Sequence, residues 1–83
     1  MATMTKEQLD AVIADLATDL KPMVAEIEAK PMTTKGHYGQ YMSLITALAH
    51  GSKQMGQIVT AALLDAGANE GGVAAAYKFA FGG

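Results

Sequence analysis

Apolar residues recur at helical spacing along most of this 83-residue chain. In the first third, steps of three and four residues connect one continuous stripe, made of Leu9, Val12, Ile13, Leu16, Leu20, Val24 and Ile27. This period is that of an amphipathic α-helix, and the acidic residues fall mostly on its other face. Thr5 and Gln8 have the spacing of a capping box, which predicts the start of the helix. Pro22 predicts a kink or a restart within the helix, and Pro31 predicts its end.

Three shorter segments show the same period. The second stripe follows Thr33 or Thr34, either of which is expected to cap the helix, and it contains Tyr38, Tyr41, Leu44, Ile45 and Leu48. The third stripe follows the predicted cap Ser52 and contains Met55, Ile58, Val59, Ala62 and Leu63. The fourth follows the predicted cap Asn69 and contains Val73, Tyr77 and Phe81. Two helix ends are predicted by glycine, at His50-Gly51 and at Gly67.

These patterns predict an all-α fold in which residues 1–83 form one domain. We expect three to four short helices in antiparallel hairpins, with a kinked first helix. Gly56, inside the third helix, predicts a close neighbour, because glycine destabilises a helix interior by roughly 0.5–1 kcal/mol. The chain is 51% hydrophobic and has no cysteine, so a thin core without disulfides is expected. The composition therefore predicts an oligomeric helical assembly, a homo-oligomer that buries more apolar surface between copies.

Composition excludes several functional classes. Two isolated histidines, His37 and His50, do not make a metal site, and nothing in the sequence indicates a cofactor. No apolar run has the length of a membrane span, so a soluble, cytoplasmic protein without membrane contact is expected. A net charge of −2 argues against a groove for long nucleic acid.

Catalysis is not indicated either. Ser43 and Ser52 lack a histidine at a convincing spacing. Asp15 and Asp19 are four residues apart on the solvent face of the first helix, which is typical of solvated acids rather than of a catalytic pair. The prediction is a protein without enzymatic activity and without catalytic residues.

The most unusual stretch is KPMTTKGHYGQY, residues 30–41. A helix N-terminus offers unpaired backbone N–H groups and a partial positive charge, and glycine lets an anion approach the backbone. Lysine and threonine add charge and hydroxyl donors, and aromatic rings add surfaces on which a base can stack. The predicted ligand-binding residues here are Lys30, Thr33, Thr34, Lys35, Gly36, His37, Tyr38 and Tyr41. Residues 31–64 contain no acid, which also suits an anionic ligand.

Each of these residues also has a purely structural interpretation. Threonine caps helices, glycine relieves turns, and Tyr38 and Tyr41 lie on the predicted core stripe, so core and stacking roles both stay open for them. Asn69, in the second glycine-rich stretch DAGANEGG (65–72), is predicted to cap the fourth helix and to add a ligand contact.

The segments TTKGHYGQYMSLITAL (33–48) and ALLDAGANEGGVAAAY (62–77) resemble the small helical phage proteins that sequester cyclic oligonucleotides, the sponge (anti-CBASS) family. The resemblance covers roughly residues 30–80. It implies a homo-oligomer with nucleotide pockets between subunits, located in the host cytoplasm, that binds a cyclic oligonucleotide without turnover and so counters host antiphage signalling. The chain contains no arginine, which leaves phosphate contacts to lysine, threonine and backbone amides.

A second functional class stays open. The apolar Met, Ala and Leu surface is also typical of a small helical protein–protein interaction module, such as a host-protein inhibitor or a minor phage structural protein. A small anion that binds tightly would favour the sponge, and an intact ligand after release would distinguish a sponge from an enzyme.

Overall fold

The computed structural model describes residues 4–31 and 36–82, and within these ranges it contains four α-helices and no strand. The helices are α1 (Lys6–Glu28), α2 (Tyr38–Ala49), α3 (Lys53–Asp65) and α4 (Glu70–Phe81). The all-α prediction is confirmed, with four helices as the upper predicted number. α1 runs through Pro22 without interruption, so no restart occurs there. A kink at Pro22 stays a prediction.

The predicted caps of three helices are confirmed. Thr5 and Gln8 form a reciprocal capping box, with N–O distances of 2.9 and 3.1 Å. The Ser52 hydroxyl accepts a hydrogen bond from the backbone N–H of Met55 at 3.1 Å. Asn69 caps α4 in the same manner. These bonds satisfy backbone donors that a helix cannot satisfy by itself.

The start of α2 differs from the sequence prediction. Its N-cap is His37, which has a left-handed backbone (φ 66°) and forms no side-chain cap hydrogen bond. Capping by Thr33 or Thr34 was therefore wrong for this helix, and both threonines lie outside the described residues. Gly36 is also left-handed (φ 59°), so two successive left-handed residues turn the chain into α2.

The core takes large side chains from every helix. α3 packs against each of the other three helices, and α2 packs most extensively against α4. The largest fully buried side chains are Tyr41, Ile45, Leu63, Val24, Val59 and Val73. Gly56 lies directly against the Phe81 ring, so a side chain at this position would collide with α4. The predicted close neighbour of Gly56 is thus in the same chain.

α1 is buried only along its C-terminal half. Its buried residues begin at Ala17 and continue through Leu20, Val24 and Ile27. Leu9 and Val12, nearer the N-terminus, are only partly buried. A helix of this length measures about 35 Å, and the molecule extends 42 Å along its longest axis against 26 and 17 Å along the others. The apolar stripe of α1 is therefore longer than the surface that covers it.

Candidate functional site

Asn69 joins three helix ends at one point, which we call the helix junction: Glu28 at the end of α1, Gly36 before α2, and Gly72 in the first turn of α4. The Asn69 side-chain amide donates to the Glu28 carboxylate at 2.8 Å and to the Gly36 carbonyl at 2.7 Å. The Asn69 backbone N–H donates to the same carboxylate oxygen at 3.1 Å. The Asn69 side-chain oxygen accepts from the backbone N–H of Gly72 at 2.6 Å. One residue thus caps α4 and fixes it to two other segments.

Glu28 is the charged centre of the junction. Besides the two Asn69 donors, its carboxylate accepts a hydrogen bond from the Tyr41 hydroxyl. Partial burial by itself would raise the pKa of Glu28, but the hydrogen bonds from Tyr41 and Asn69, with the nearby His37, outweigh it and lower the pKa. Burial and the bond to Glu28 raise the pKa of Tyr41, which therefore stays a donor. The arrangement keeps Glu28 ionised and its hydrogen-bond partners oriented.

Two glycines let the backbones of the junction touch. The Gly36 carbonyl lies so close to Gly72 that a Cβ there would overlap it, and a Cβ on Gly36 would meet the Asn69 side chain. The close approach that Gly36 was predicted to offer to an anion is thus occupied by the chain itself. Asn69 and the first turn of α4 fill the space beside Gly36, and a ligand contact at Gly36 stays a prediction.

The aromatic residues of the predicted site separate. Tyr41 is fully buried and belongs to the core, which is the structural interpretation left open by the sequence. Tyr38 is half-buried, and its ring lies 5.3 Å from that of Phe79, tilted by 32°. Phe79 itself is 59% exposed. Of the two tyrosines, only Tyr38 belongs to an aromatic pair that reaches the surface.

The remaining predicted site residues are distributed unevenly. Lys30 is exposed beyond the end of α1, and His37 is 4% exposed at the entrance of α2. Thr33, Thr34 and Lys35 lie outside the described residues. The structure therefore brings Gly36, Tyr41 and Asn69 together, but around a carboxylate. Negative charge at that point disfavours a phosphate in direct contact with the same donors.

Glu28 is not among the site residues predicted from the sequence, in which the acids of the first helix fall mostly on its solvent face. One signal could have identified it: Glu28 follows the core residue Val24 by four positions, and residues four apart share a helix face. Its partner Asn69 is 41 positions away along the chain. Helical periodicity carries no information on such a pairing.

A shallow groove lies between α3 and α4. It has a volume of about 260 Å³ and is lined by Gln57, Thr60, Ala61, Leu64 and Tyr77. Leu64 is 41% exposed in it, and the Gln57 side-chain amide donates to the Tyr77 hydroxyl at 3.3 Å. The walls are mostly apolar, with one polar pair on the rim.

Two kinds of site are absent from the described part of the chain. Among residues 4–31 and 36–82, no three His, Asp or Glu side chains are grouped so that they could hold a metal ion. No helix in these ranges combines the length and the apolar content that a membrane span requires.

Compared with protein-family models, with curated proteins and with solved structures, the chain matches none. The likeness to the sponge proteins stays a sequence resemblance.

Proposed function

We propose that this chain is a small helical interaction module that docks on a protein partner through exposed apolar side chains. The observation that carries the proposal is the exposure of Met23, Leu64 and Phe79, at 47%, 41% and 59% respectively. Exposed apolar side chains are candidate contact points, and Leu64 lies in a groove with other apolar residues. Of the predicted ligand-binding residues, Gly36, Tyr41 and Asn69 are meanwhile engaged in the helix junction.

The groove between α3 and α4 supports this proposal. Leu64 and the Tyr77 ring offer apolar walls, and Gln57 offers a polar group at the rim. Apolar anchors surrounded by polar groups are the usual composition of a protein interface. The groove is open and shallow, which suits the side chains of a partner helix better than an enclosed small molecule.

Site-specific photocrosslinking tests the proposal. A photoreactive phenylalanine analogue is placed at position 64 or 79 in the source cells, and at the exposed polar positions Thr46 and Gln54 as matched controls. We expect a discrete crosslinked protein from position 64 or 79, and its binding to the purified chain should weaken on Leu64→Ser or Phe79→Ser. The proposal is refuted if all four positions crosslink equally, or if neither substitution weakens the binding of the purified partner.

A second candidate function is the binding and sequestration of a cyclic oligonucleotide without turnover. The observation that favours it is the surface ring pair of Tyr38 and Phe79, with Lys78 next to it in sequence. Stacking on such rings contributes about 1–3 kcal/mol per base, and a lysine can add a phosphate contact. Lys35, with the two threonines before it, supplies further candidate contacts.

A thermal-shift screen tests this candidate. Cyclic di- and trinucleotides are compared with linear mononucleotides, and any ligand that raises the melting temperature is recovered to see whether it is intact. Phe79→Leu should weaken the binding of a ligand that stacks on this ring. Phe81→Leu is the control, because Phe81 lies on the same helix but packs against α3. Stacking on this ring pair is refuted if no cyclic nucleotide raises the melting temperature, or if Phe79→Leu leaves the affinity for the ligand unchanged.

A further inference from the structure

α1 carries two parallel rows beside its buried face, which we call the α1 stripe, and Leu16 of this stripe also packs against the edge of the core. The apolar row is Val12, Leu16 and Met23, and the acidic row three residues further on is Asp15, Asp19 and Glu26. Both rows have spacings of four and seven residues, so each stays on one side of the helix. Met23 is 47% exposed, and Val12 and Leu16 are half-buried. The three acids are all exposed.

The charge of the stripe restricts what can cover it. α1 contains six acids against two lysines, a formal charge of −4. Lys21 projects from the opposite face of the helix, as its position in a period of about 3.6 residues requires. A second copy placed against this face would bring acidic row near acidic row, and like charges in contact destabilise an interface. A partner with lysine or arginine beside an apolar ridge would pair with both rows.

We propose that the α1 stripe binds a basic amphipathic helix of a partner protein. The inference rests on the proposed function as an interaction module and adds to it the face and the chemistry of the partner. The apolar ridge of such a helix covers Val12, Leu16 and Met23, and its basic flank meets Asp15, Asp19 and Glu26. Helices that bind in grooves use the same spacing of three and four residues for their anchors.

A synthetic helix of leucine and lysine is a direct probe of this surface. The probe is a fluorescein-labelled peptide of about 18 residues, long enough to form a helix on binding, with leucine at helical spacing. Its binding to the full chain is followed by fluorescence anisotropy. The comparison peptides replace every lysine with glutamate or scramble the same residues. We expect that only the leucine–lysine peptide binds. Its affinity should fall as salt is added, because salt screens exposed charges.

Matched variants locate the binding face. Asp15→Asn with Asp19→Asn should weaken binding by about three- to tenfold, whereas Asp10→Asn with Asp65→Asn removes equal charge elsewhere and should leave it unchanged. Met23→Gln should weaken binding about fivefold or more, and Leu64→Gln, in the groove between α3 and α4, should not. Circular dichroism confirms that each variant is folded.

The outcomes separate this inference from the proposed function. Binding that responds equally to both charge pairs is nonspecific attraction and overturns the inference. If Leu64→Gln weakens binding more than Met23→Gln does, the peptide docks in the groove. That result refutes binding at the stripe but agrees with an interaction module. Self-association that strengthens when Asp15 and Asp19 become Asn would assign the stripe to a second copy. Photocrosslinks that fail at positions 64 and 79 while the peptide still binds the stripe would refute docking through those two side chains and keep the stripe, and failure of both experiments would refute the interaction module.

Discussion

Replacing Glu28 with Gln tests whether the helix junction holds the fold together. The substitution keeps the length of the side chain and one oxygen acceptor. It removes the negative charge from the group that accepts one hydrogen bond from Tyr41 and two from Asn69. All three donors bond the same carboxylate oxygen, so the Gln side-chain oxygen can accept from them only as a neutral group. The Tyr41 side chain is fully buried, so a weakened bond at its hydroxyl is not replaced by one to water.

The expected loss can be worked out from these contacts. A hydrogen bond to a charged group contributes about 1.5–3 kcal/mol, against about 0.5–1.5 kcal/mol for a neutral one. Three such bonds are weakened rather than lost, and an acid at a helix C-terminus is itself unfavourable by about 0.3–1 kcal/mol. Because the three donors share one carboxylate oxygen, these differences do not add fully, and we expect Glu28→Gln to lower the free energy of unfolding by about 1–2 kcal/mol. For a domain of this size the melting temperature should fall by about 4–16 °C.

The loss should depend on pH in a defined direction. The pKa of Glu28 is lower in the folded protein than its ordinary value, because the charged form holds the hydrogen bonds. A group with a lowered folded pKa stabilises the fold above its unfolded pKa, and this stability is lost as the pH falls through the folded value. The difference between wild type and Glu28→Gln should therefore be full at neutral pH and shrink once the wild-type carboxylate becomes protonated.

Thermal unfolding followed by circular dichroism, from about pH 7 down to about pH 2.5, measures both effects. Glu26→Gln is the matched control, since Glu26 is an exposed acid near the same helix end. A stabilising role of the Glu28 charge is refuted if Glu28→Gln destabilises the chain no more than Glu26→Gln does at neutral pH. It is also refuted if the difference between the two variants persists unchanged in acid.

The same structure supports four further predictions. Gly72→Ala should destabilise the chain by more than about 2 kcal/mol in urea unfolding, because its Cβ overlaps the Gly36 carbonyl; Gly71→Ala has space and should stabilise it by about 0.5–1 kcal/mol. Tyr41→Leu should lower the melting temperature strongly. Tyr38→Leu should change the melting temperature little, but it should weaken the binding of a ligand whose base stacks on this ring by about 1–3 kcal/mol. Lys35→Ala should weaken a nucleotide ligand in calorimetry without unfolding the protein, and unchanged affinity would restrict that segment to a structural role. Sedimentation velocity at micromolar concentration should show a homo-oligomer, and a stable monomer would contradict the expectation drawn from the apolar content.

The helices themselves could be predicted because their signals are local. Thr5, Ser52 and Asn69 each satisfy a backbone donor three residues away, a distance that the sequence shows directly. The apolar period predicted core residues in all four helices, among them Val24, Ile45, Leu63 and Val73. The neighbour of Gly56 could be predicted to exist, but only the structure identifies it as Phe81.

The helix junction could not be predicted because its contacts are long-range and its residues have a second, local use. Asn69 was expected to cap α4, and it does, but the same amide also reaches Glu28 and Gly36. The start of α2 was missed for a related reason. His37 enters the helix with a left-handed backbone, a conformation that is uncommon outside glycine and that the apolar period does not predict.

The position of Glu28 between two helices explains why an acid is tolerated at the end of α1. The C-terminal end of a helix carries partial negative charge, which disfavours a carboxylate, whereas the N-terminal end of α4 carries partial positive charge, which favours one. The backbone N–H that Asn69 donates to Glu28 belongs to this second end. The carboxylate therefore neutralises α4 in the way that a bound anion would, and an external anion at the same donors would have to displace it. Gly36, Tyr41 and Asn69 therefore hold three helix ends together around Glu28, and a ligand contact at these residues stays a prediction.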